Sequence, residues 1–127
     1  GLCDLLHFDN DGIMEMNAAL AALAALAQDT RLAAYRLLVQ AGASGLPAGE
    51  IATRLGVAPA TLSFHLAHLE RTGLARARRA GRSIIYSADY DAMRALLGYL
   101  TENCCRGGPA ACGVDAPCPP AAAGAGR

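Results

Sequence analysis

The segment PAGEIATRLGVAPATLSFHLAHLERTGL, Pro47 to Leu74, constrains the fold of this chain more than any other. Its first part is typical of a short helix that ends at Gly56, because glycine permits the tight turn that follows. A second helix begins near Pro59, since the missing N–H of proline costs nothing in a first turn. The apolar stripe of that helix consists of Leu62, Leu66 and Leu69. Two short helices around a tight turn predict a helix-turn-helix unit.

A segment rich in arginine and strand-favouring residues follows this unit. In ARARRAGRSIIYSA, Ala75 to Ala88, the letters IIY favour a strand, and Ala80-Gly81-Arg82 can form a hairpin turn. Helical patterns flank the unit at residues 17–28, 30–41 and 91–103. The sequence therefore predicts a mainly α fold with a β-hairpin wing, a winged helix-turn-helix, rather than a plain three-helix bundle.

The outer helices carry more apolar surface than a small monomer needs. Leucine recurs every three residues in the first helix, and the last helix has apolar residues at i, i+3, i+4 and i+7. This excess predicts a symmetric homodimer. In the second helix, we expect Asp29 to cap the start and Leu32 to point inward.

Charge is unevenly distributed, although the formal net charge is zero. All eleven basic residues are arginine. The block from Arg71 to Arg82 contains five of them and no acid. Such a block is typical of a surface that meets phosphate, and the alternative is a solvated arginine face. No apolar run is long enough to cross a bilayer.

The cysteine pattern and the composition predict how the 127 residues are organised. Five cysteines, an odd number, lie mostly near one end, which is typical of reduced thiols in a cytoplasmic protein rather than of a disulfide scaffold. We expect a winged-helix domain at residues 17–103, a cysteine-containing flexible tail at 104–127 and an acidic N-terminal segment at 1–16. Met14 and Met16 are candidate natural starts, so part of that first segment is expected not to be native.

Residues on the exposed side of the second helix of the unit are candidates to read DNA. A helix reads the major groove with its N-terminal part, which favours Thr61 and Ser63, and Phe64 can touch a thymine methyl group. His65 lies near the edge of the apolar stripe and is either a groove contact or a structural histidine. The candidates to hold phosphate or enter the minor groove are Arg71, Arg76, Arg78, Arg79 and Arg82. Because side chains alternate along a strand, some of these arginines must point away from DNA.

Three stretches resemble the arsenical-resistance repressor (ArsR/SmtB) family of bacterial metalloregulators. They are LAALAQDTRLAAYRLLVQAG, GEIATRLGVAPATLSFHLAHLERTGL and GRSIIYSAD, and the resemblance covers residues 17–103. It implies a dimeric repressor whose first and last helices form the dimer interface and whose DNA is released when a ligand binds. Two sites common in the family are absent, because GEIATRLG has no cysteine and DAMRALLGYLTEN has no histidine. The ending ENCC resembles members that sense trivalent arsenic.

The chemistry of thiolates is consistent with that ligand. Soft thiolates select thiophilic centres, and As(III) or Sb(III) prefers three sulfurs, whereas zinc generally takes four ligands. Cys104 and Cys105 are adjacent, so both sulfurs can reach one small atom from a helix end. Cys112 is the favoured third ligand because the letters RGGP allow the chain to return, and Cys118 and Cys3 are the alternatives.

The sequence thus predicts a DNA-binding repressor that is released by As(III) or Sb(III), binds double-stranded operator DNA and has no contact with a membrane. A redox-sensing repressor that uses the same cysteines is the alternative. A metal-storage protein would not need the arginine-rich wing. Because no carboxylate lies at a suggestive spacing from Ser63 or the histidines, we expect no catalytic residues, no catalytic cofactor and no enzyme activity.

Overall fold

Five helices and a three-stranded antiparallel sheet form residues 14–104, the part of the chain that this computed structural model describes. The helices are α1 (Met16–Leu26), α2 (Asp29–Ala41), α3 (Ala48–Leu55), α4 (Pro59–Arg71) and α5 (Tyr90–Leu100). The strands are β1 (Leu46–Pro47), β2 (Ala75–Ala80) and β3 (Ser83–Ala88), in the order β1-β3-β2. The predicted winged helix-turn-helix is confirmed.

The described residues cluster into two compact units. One unit is Leu20–Tyr90, which contains residues 20–26 of α1, the helices α2, α3 and α4, and the whole sheet. The described part of the other consists of residues 14–19 and 91–104. The predicted boundaries near residues 16 and 103 stay a prediction, because the segments beyond them lie largely outside the described residues.

The core of the Leu20–Tyr90 unit forms around the apolar stripe of α4. Leu62, Leu66 and Leu69 are at most 1% exposed, and α4 packs against α2 and α3. Those helices contribute Leu38 and Ile51, both 0% exposed. Burying one such side chain stabilises a fold by about 1.5–3 kcal/mol. This burial determines which side of α4 remains at the surface.

The turn between α3 and α4 is closed by a left-handed glycine. Gly56 has φ 68° and ψ 33°, and its N–H and that of Val57 donate to the carbonyl of Ala52 at 2.9 and 3.1 Å. These bonds satisfy a carbonyl at the end of α3 that has no partner inside the helix. Pro59 then occupies the first turn of α4, as its sequence position predicts.

The wing is a two-stranded hairpin whose base is held by a short third strand. Gly81, at φ 63°, starts the two-residue loop between β2 and β3, as expected from the sequence. The third strand was not predicted, because two residues carry no periodicity. In this strand Leu46 pairs with Tyr86 and Pro47 with Ile85.

Several details at the ends of the helices differ from the predictions. Gln28, rather than Asp29, caps α2, because its backbone is extended and its side chain accepts the N–H of Arg31. Asp29 begins the helix and accepts the N–H of Thr30 at 2.7 Å. Leu32 is 43% exposed, so its predicted inward orientation is wrong.

The last helix ends at Leu100, three residues before the predicted Asn103. A turn continues it, in which the N–H of Cys104 donates to the carbonyl of Thr101 at 2.9 Å. Asn103 has φ 57°, a left-handed conformation that asparagine tolerates at a helix end. The first cysteine of the pair therefore follows directly on a closed helix end.

Two tyrosines lie where the base of the wing meets α2. The hydroxyl of Tyr90 donates to the carbonyl of Val39 at 2.7 Å, which satisfies a carbonyl in the last turn of α2. The hydroxyl of Tyr35 has no hydrogen-bond partner within residues 14–104. Burial, followed by the nearby Asp89 carboxylate and Tyr90, raises the pKa of Tyr35 to about 12. Its phenol therefore stays neutral at physiological pH.

We expect Gly45→Ala to destabilise the fold by roughly 3 kcal/mol or more, because strain and a backbone overlap add. Gly45 has φ 75°, and a Cβ there would overlap the carbonyl oxygen of Tyr86 in the sheet. Gly56→Ala is the matched control, since its φ is also positive but no atom lies within 4 Å of the added Cβ. The free energy of unfolding of the control, measured by chemical denaturation, should fall by only about 1–2 kcal/mol. Equal losses of unfolding free energy in the two variants would show that the overlap with Tyr86 has no effect.

Candidate nucleic-acid interface

The N-terminal half of α4 presents a polar and aromatic surface. Thr61 and Ser63 are exposed, and Phe64 is 63% exposed. No side chain caps the start of this helix, so the backbone N–H groups of Ala60 and Thr61 have no partner from a cap. Hydroxyls and an aromatic ring on the exposed side of a helix are groups that contact base edges and phosphates in a major groove.

His65 differs from its neighbours on α4 because it is half-buried. Its Nδ1 lies 3.1 Å from Nη1 of Arg31, and its ring meets the ring of Phe64 edge-on at a centroid distance of 5.4 Å. The structure therefore brings His65 to the first turn of α2. A groove contact by His65 stays a prediction.

The C-terminal end of α4 carries one arginine and one histidine. Arg71 is exposed there, and His68 is half-buried. Partial burial, followed by the nearby charges of Arg31, Arg71 and His65, lowers the pKa of His68. The lowered pKa favours the neutral imidazole of His68, and Arg71 supplies the positive charge at this end of the helix.

The strand register sorts the wing arginines onto two faces. Ala75 pairs with Ala88, Ala77 with Tyr86 and Arg79 with Ile84, so these pairs share one face of the hairpin. That face is buried at its base and exposed at Arg79 and Ile84. Arg76 and Arg78 lie on the opposite, outer face of the hairpin, as the expected alternation of side chains along a strand requires.

The arginines of the outer face have partners within the domain. Nε of Arg76 donates to the Asp89 carboxylate at 3.0 Å, and Nη2 of Arg78 donates to the carbonyl of Ser44 at 3.0 Å. Arg79 and Arg82 are exposed and make no ion pair within residues 14–104. Their guanidinium groups are available to phosphate.

The candidate metal ligands lie at or beyond the end of the described residues. Cys104 is half-buried after α5, whereas Cys105, Cys112 and the alternatives Cys118 and Cys3 fall outside residues 14–104. Within that range, no three His, Cys, Asp or Glu side chains are grouped to hold a metal ion. The predicted three-cysteine site therefore stays a prediction.

Sequence reasoning missed the residues that act through long-range contacts. Arg31 was not singled out, yet it contacts His65 across 34 positions in the sequence. Asp89 and the Ser44 carbonyl, which engage Arg76 and Arg78, were also missed. A local pattern carries no signal for such pairs. The strand alternation alone indicated that some wing arginines had to face away.

Known proteins are similar to this chain in sequence and in fold. A family model for a helix-turn-helix domain matches residues 26–78. The transcriptional activator HlyU of Vibrio cholerae is 32% identical over 95 residues, which cover 73% of this chain and 85% of HlyU. The solved structure of HlyU superposes with a TM-score of 0.55 at 34% identity, covering 68% of this chain and 97% of that chain. HlyU has also been solved in a reduced form.

Two further solved structures extend the comparison. The homodimeric winged helix-turn-helix DNA-binding domain of Mb0332 from Mycobacterium bovis has a TM-score of 0.55 at 28% identity, covering 69% of this chain and 82% of its own. The antimony-specific transcriptional repressor AntR has a TM-score of 0.55 at 31% identity, covering 69% of this chain and 80% of its own. These relatives are all transcriptional regulators or DNA-binding domains. None of the helices in residues 14–104 has the length and apolar character needed to span a membrane.

We expect Arg79→Ala combined with Arg82→Ala to weaken binding to all duplex DNA and to reduce the slope of log K against log salt by about two units. The reason is that each lost phosphate contact removes the release of one counterion. The probes are a duplex enriched by the wild-type protein from a random library and a scrambled duplex of equal composition. Arg76→Ala is the matched control and should leave the salt slope unchanged, because that guanidinium already pairs with Asp89. A loss of preference for the enriched duplex with an unchanged slope would make Arg79 and Arg82 base readers.

Proposed function

Because this chain belongs to the ArsR family of winged helix-turn-helix transcriptional regulators, which bind DNA, we propose that it represses an arsenic-resistance operon and leaves operator DNA when As(III) or Sb(III) binds its C-terminal cysteines. The observation that carries this proposal is the position of Cys104 on the turn that closes α5, directly before Cys105. The description of the relative AntR as antimony-specific supports a ligand of this chemical class.

The DNA-reading part of the proposal rests on α4 and the tip of the wing. Thr61, Ser63 and Phe64 lie together on the exposed N-terminal half of α4, where a helix meets base edges in a major groove. Arg79 and Arg82 at the wing tip, with Arg71 at the far end of α4, supply charge for phosphates. Specificity is thus assigned to α4, and most of the electrostatic affinity to the arginines.

The ligand-binding part of the proposal rests on thiolate chemistry. A trivalent arsenic or antimony atom takes up to three soft sulfur ligands. The backbone bond from Cys104 to Thr101 holds one of these sulfurs close to the end of α5. Cys105 supplies the second, and Cys112 supplies the third in preference to Cys118 or Cys3. A site at the end of α5 is distant in sequence from Thr61 and Ser63, so its effect on DNA must act through the relative placement of the two subunits.

A homodimer is part of this proposal. The relative Mb0332 is homodimeric, and α5 exposes two leucines, Leu97 at 41% and Leu100 at 53%. In α1, Leu20 is 55% exposed and Leu23 39%. Apolar residues on the outer helices are the groups that a second copy of the chain would cover. A two-fold axis would place two α4 helices about one turn of DNA apart.

Oligomeric state tests this part directly. Leu97→Asp combined with Leu100→Asp should convert the protein to a monomer at micromolar concentration, because each charge would be buried without a partner at the interface. Ile84→Asp is the control, since Ile84 is similarly exposed, at 40%, but lies on the wing. Sedimentation velocity of the DNA-free protein measures both. A wild-type protein that sediments only as a monomer would contradict the homodimer.

A redox-responsive repressor that uses the same cysteines is the second candidate. The observation that favours it is that the relative HlyU has been solved in a form described as reduced. Two adjacent thiols of this kind can be oxidised reversibly, to disulfides or sulfenic acids. Release of DNA by hydrogen peroxide without arsenite, together with no release by arsenite under reducing conditions, would select this function over the first.

For the arsenic-responsive function, we expect Cys104→Ser and Cys105→Ser each to abolish release of DNA by arsenite under reducing conditions. Because neither residue belongs to α4 or to the wing, DNA affinity without arsenite should stay at the wild-type value. In the wild type, arsenite should weaken binding about 5- to 150-fold, the usual range for coupling between two sites. Fluorescence anisotropy with the enriched duplex measures both quantities.

The other cysteines supply the controls for that experiment. Cys112→Ser should reduce the release by arsenite, and Cys118→Ser should leave it unchanged. The opposite result for these two variants would move the third ligand to Cys118. Normal release from Cys104→Ser would refute the arsenic-sensing function as a whole.

A further inference from the structure

One guanidinium joins three helices of the Leu20–Tyr90 unit. Arg31 lies in the first turn of α2, where its backbone N–H is capped by the Gln28 side chain at 2.8 Å. Its Nε donates to the carbonyl of Ala25 at 2.6 Å, and its Nη1 lies 3.1 Å from Nδ1 of His65. Ala25 is in the last turn of α1 and is 0% exposed, and His65 is in the middle of α4. Carbonyls in the last turn of a helix have no partner inside it, so Arg31 also satisfies one of these.

The chemistry of the two side chains defines the proton positions in the contact. A guanidinium has only N–H donors, so Nδ1 of His65 must be the acceptor. The imidazole is therefore neutral and carries its proton on Nε2. A doubly protonated ring would offer no acceptor and would place two cations side by side. His65 thus uses Nδ1 to hold Arg31, so that nitrogen is not available to contact a DNA base.

The charge near His65 comes from arginines on two helices. Arg31 approaches from α2, and Arg71 lies on α4 itself. After burial, which is the larger cause, the groups that lower the pKa of His68 are Arg31, Arg71 and His65, so the four side chains form one cluster. The contact between Arg31 and His65 therefore lies in a positively charged part of the domain.

We infer that Arg31 and His65 are positioning residues for sequence-specific DNA binding, which tie the end of α1 and the start of α2 to α4 and so set the orientation of Thr61, Ser63 and Phe64. This inference rests on the proposed role of α4 in reading DNA. His65 immediately follows Phe64, and its ring contacts that of Phe64 at 5.4 Å, so a shift of His65 moves the reading surface. Phosphate contacts from the wing tip do not depend on this link.

The test measures affinity of the full chain for the enriched duplex and for the scrambled duplex. Arg31→Lys keeps the charge but loses the planar fork that reaches both partners. Arg31→Lys and His65→Ala should each weaken binding to the enriched duplex by about five- to tenfold, with binding to the scrambled duplex changed by less than about twofold. The two changes combined should weaken binding to the enriched duplex no more than either change alone, because both break the contact between Arg31 and His65. Asparagine can place an acceptor near the position of Nδ1, so His65→Asn should stay within about threefold of the wild type.

A spectroscopic readout separates positioning from simple loss of stability. In ¹⁵N spectra of the imidazole rings, the wild type should show His65 with an unprotonated Nδ1 and a protonated Nε2, both free and bound to DNA. In Arg31→Lys, this preference for one tautomer should be lost while thermal unfolding stays close to that of the wild type. If the His65 ring kept the same tautomer in Arg31→Lys as in the wild type, the inference would be overturned.

The affinity measurements also have outcomes that overturn it. Additive losses in the double variant would show that the two residues act independently. Equal losses in His65→Asn and His65→Ala, beside an unaffected Arg31→Lys, would make His65 a direct base reader. A wild type that does not distinguish the two duplexes would refute both the role of α4 and this inference. A wild type and an Arg31→Lys variant that distinguish them equally would refute the inference alone.

Discussion

Burial of one leucine stripe on α4 determines both the core and the outward surface of the helix-turn-helix unit. Leu62, Leu66 and Leu69 are at most 1% exposed between α2 and α3. A helix turns about 100° per residue, so burying this stripe forces the residues between its members outward. Phe64, at 63% exposure, owes its outward direction to that geometry. The same hydrophobic energy that stabilises the fold therefore also orients the face of α4 that DNA would meet.

Arginine has two distinct roles in the wing. Arg76 and Arg78 lie on the outer face and hold the hairpin to Asp89 and to the Ser44 carbonyl. Arg79 shares the other face with Ile84 beyond the buried base, and Arg82 lies in the loop. A guanidinium suits the first role because several donors project from one plane, and the second because it remains charged. Position relative to the strand register, rather than residue type, separates the arginines that hold the wing from those at its tip.

Elements with a strong local signal could be predicted from the sequence. Gly56, Pro59 and the leucine stripe of α4 act within a few residues, so their pattern was sufficient to place α3, the turn and α4. Strand β1 could not be predicted, because its two residues become a strand only by pairing with β3. The cap of α2 was assigned to Asp29 instead of Gln28, since both side chains can accept an N–H and only the backbone angles decide between them. In the site, exposure of Thr61, Ser63 and Phe64 follows from helical periodicity, whereas the contact between Arg31 and His65 joins residues far apart in the sequence.

The absence of lysine limits how a cell could regulate this DNA-binding surface. All eleven basic side chains are arginine, so the chain has no side-chain amine for acetylation to neutralise. Methylation of arginine would leave the positive charge in place, and a guanidinium does not lose its proton at any pH that a folded protein normally meets. The common enzymatic route to loosening a protein from DNA, removal of charge from lysine, has no target in this chain. Its occupancy of DNA can still respond to ionic strength, to its own concentration or to a change in the geometry of the reading surface.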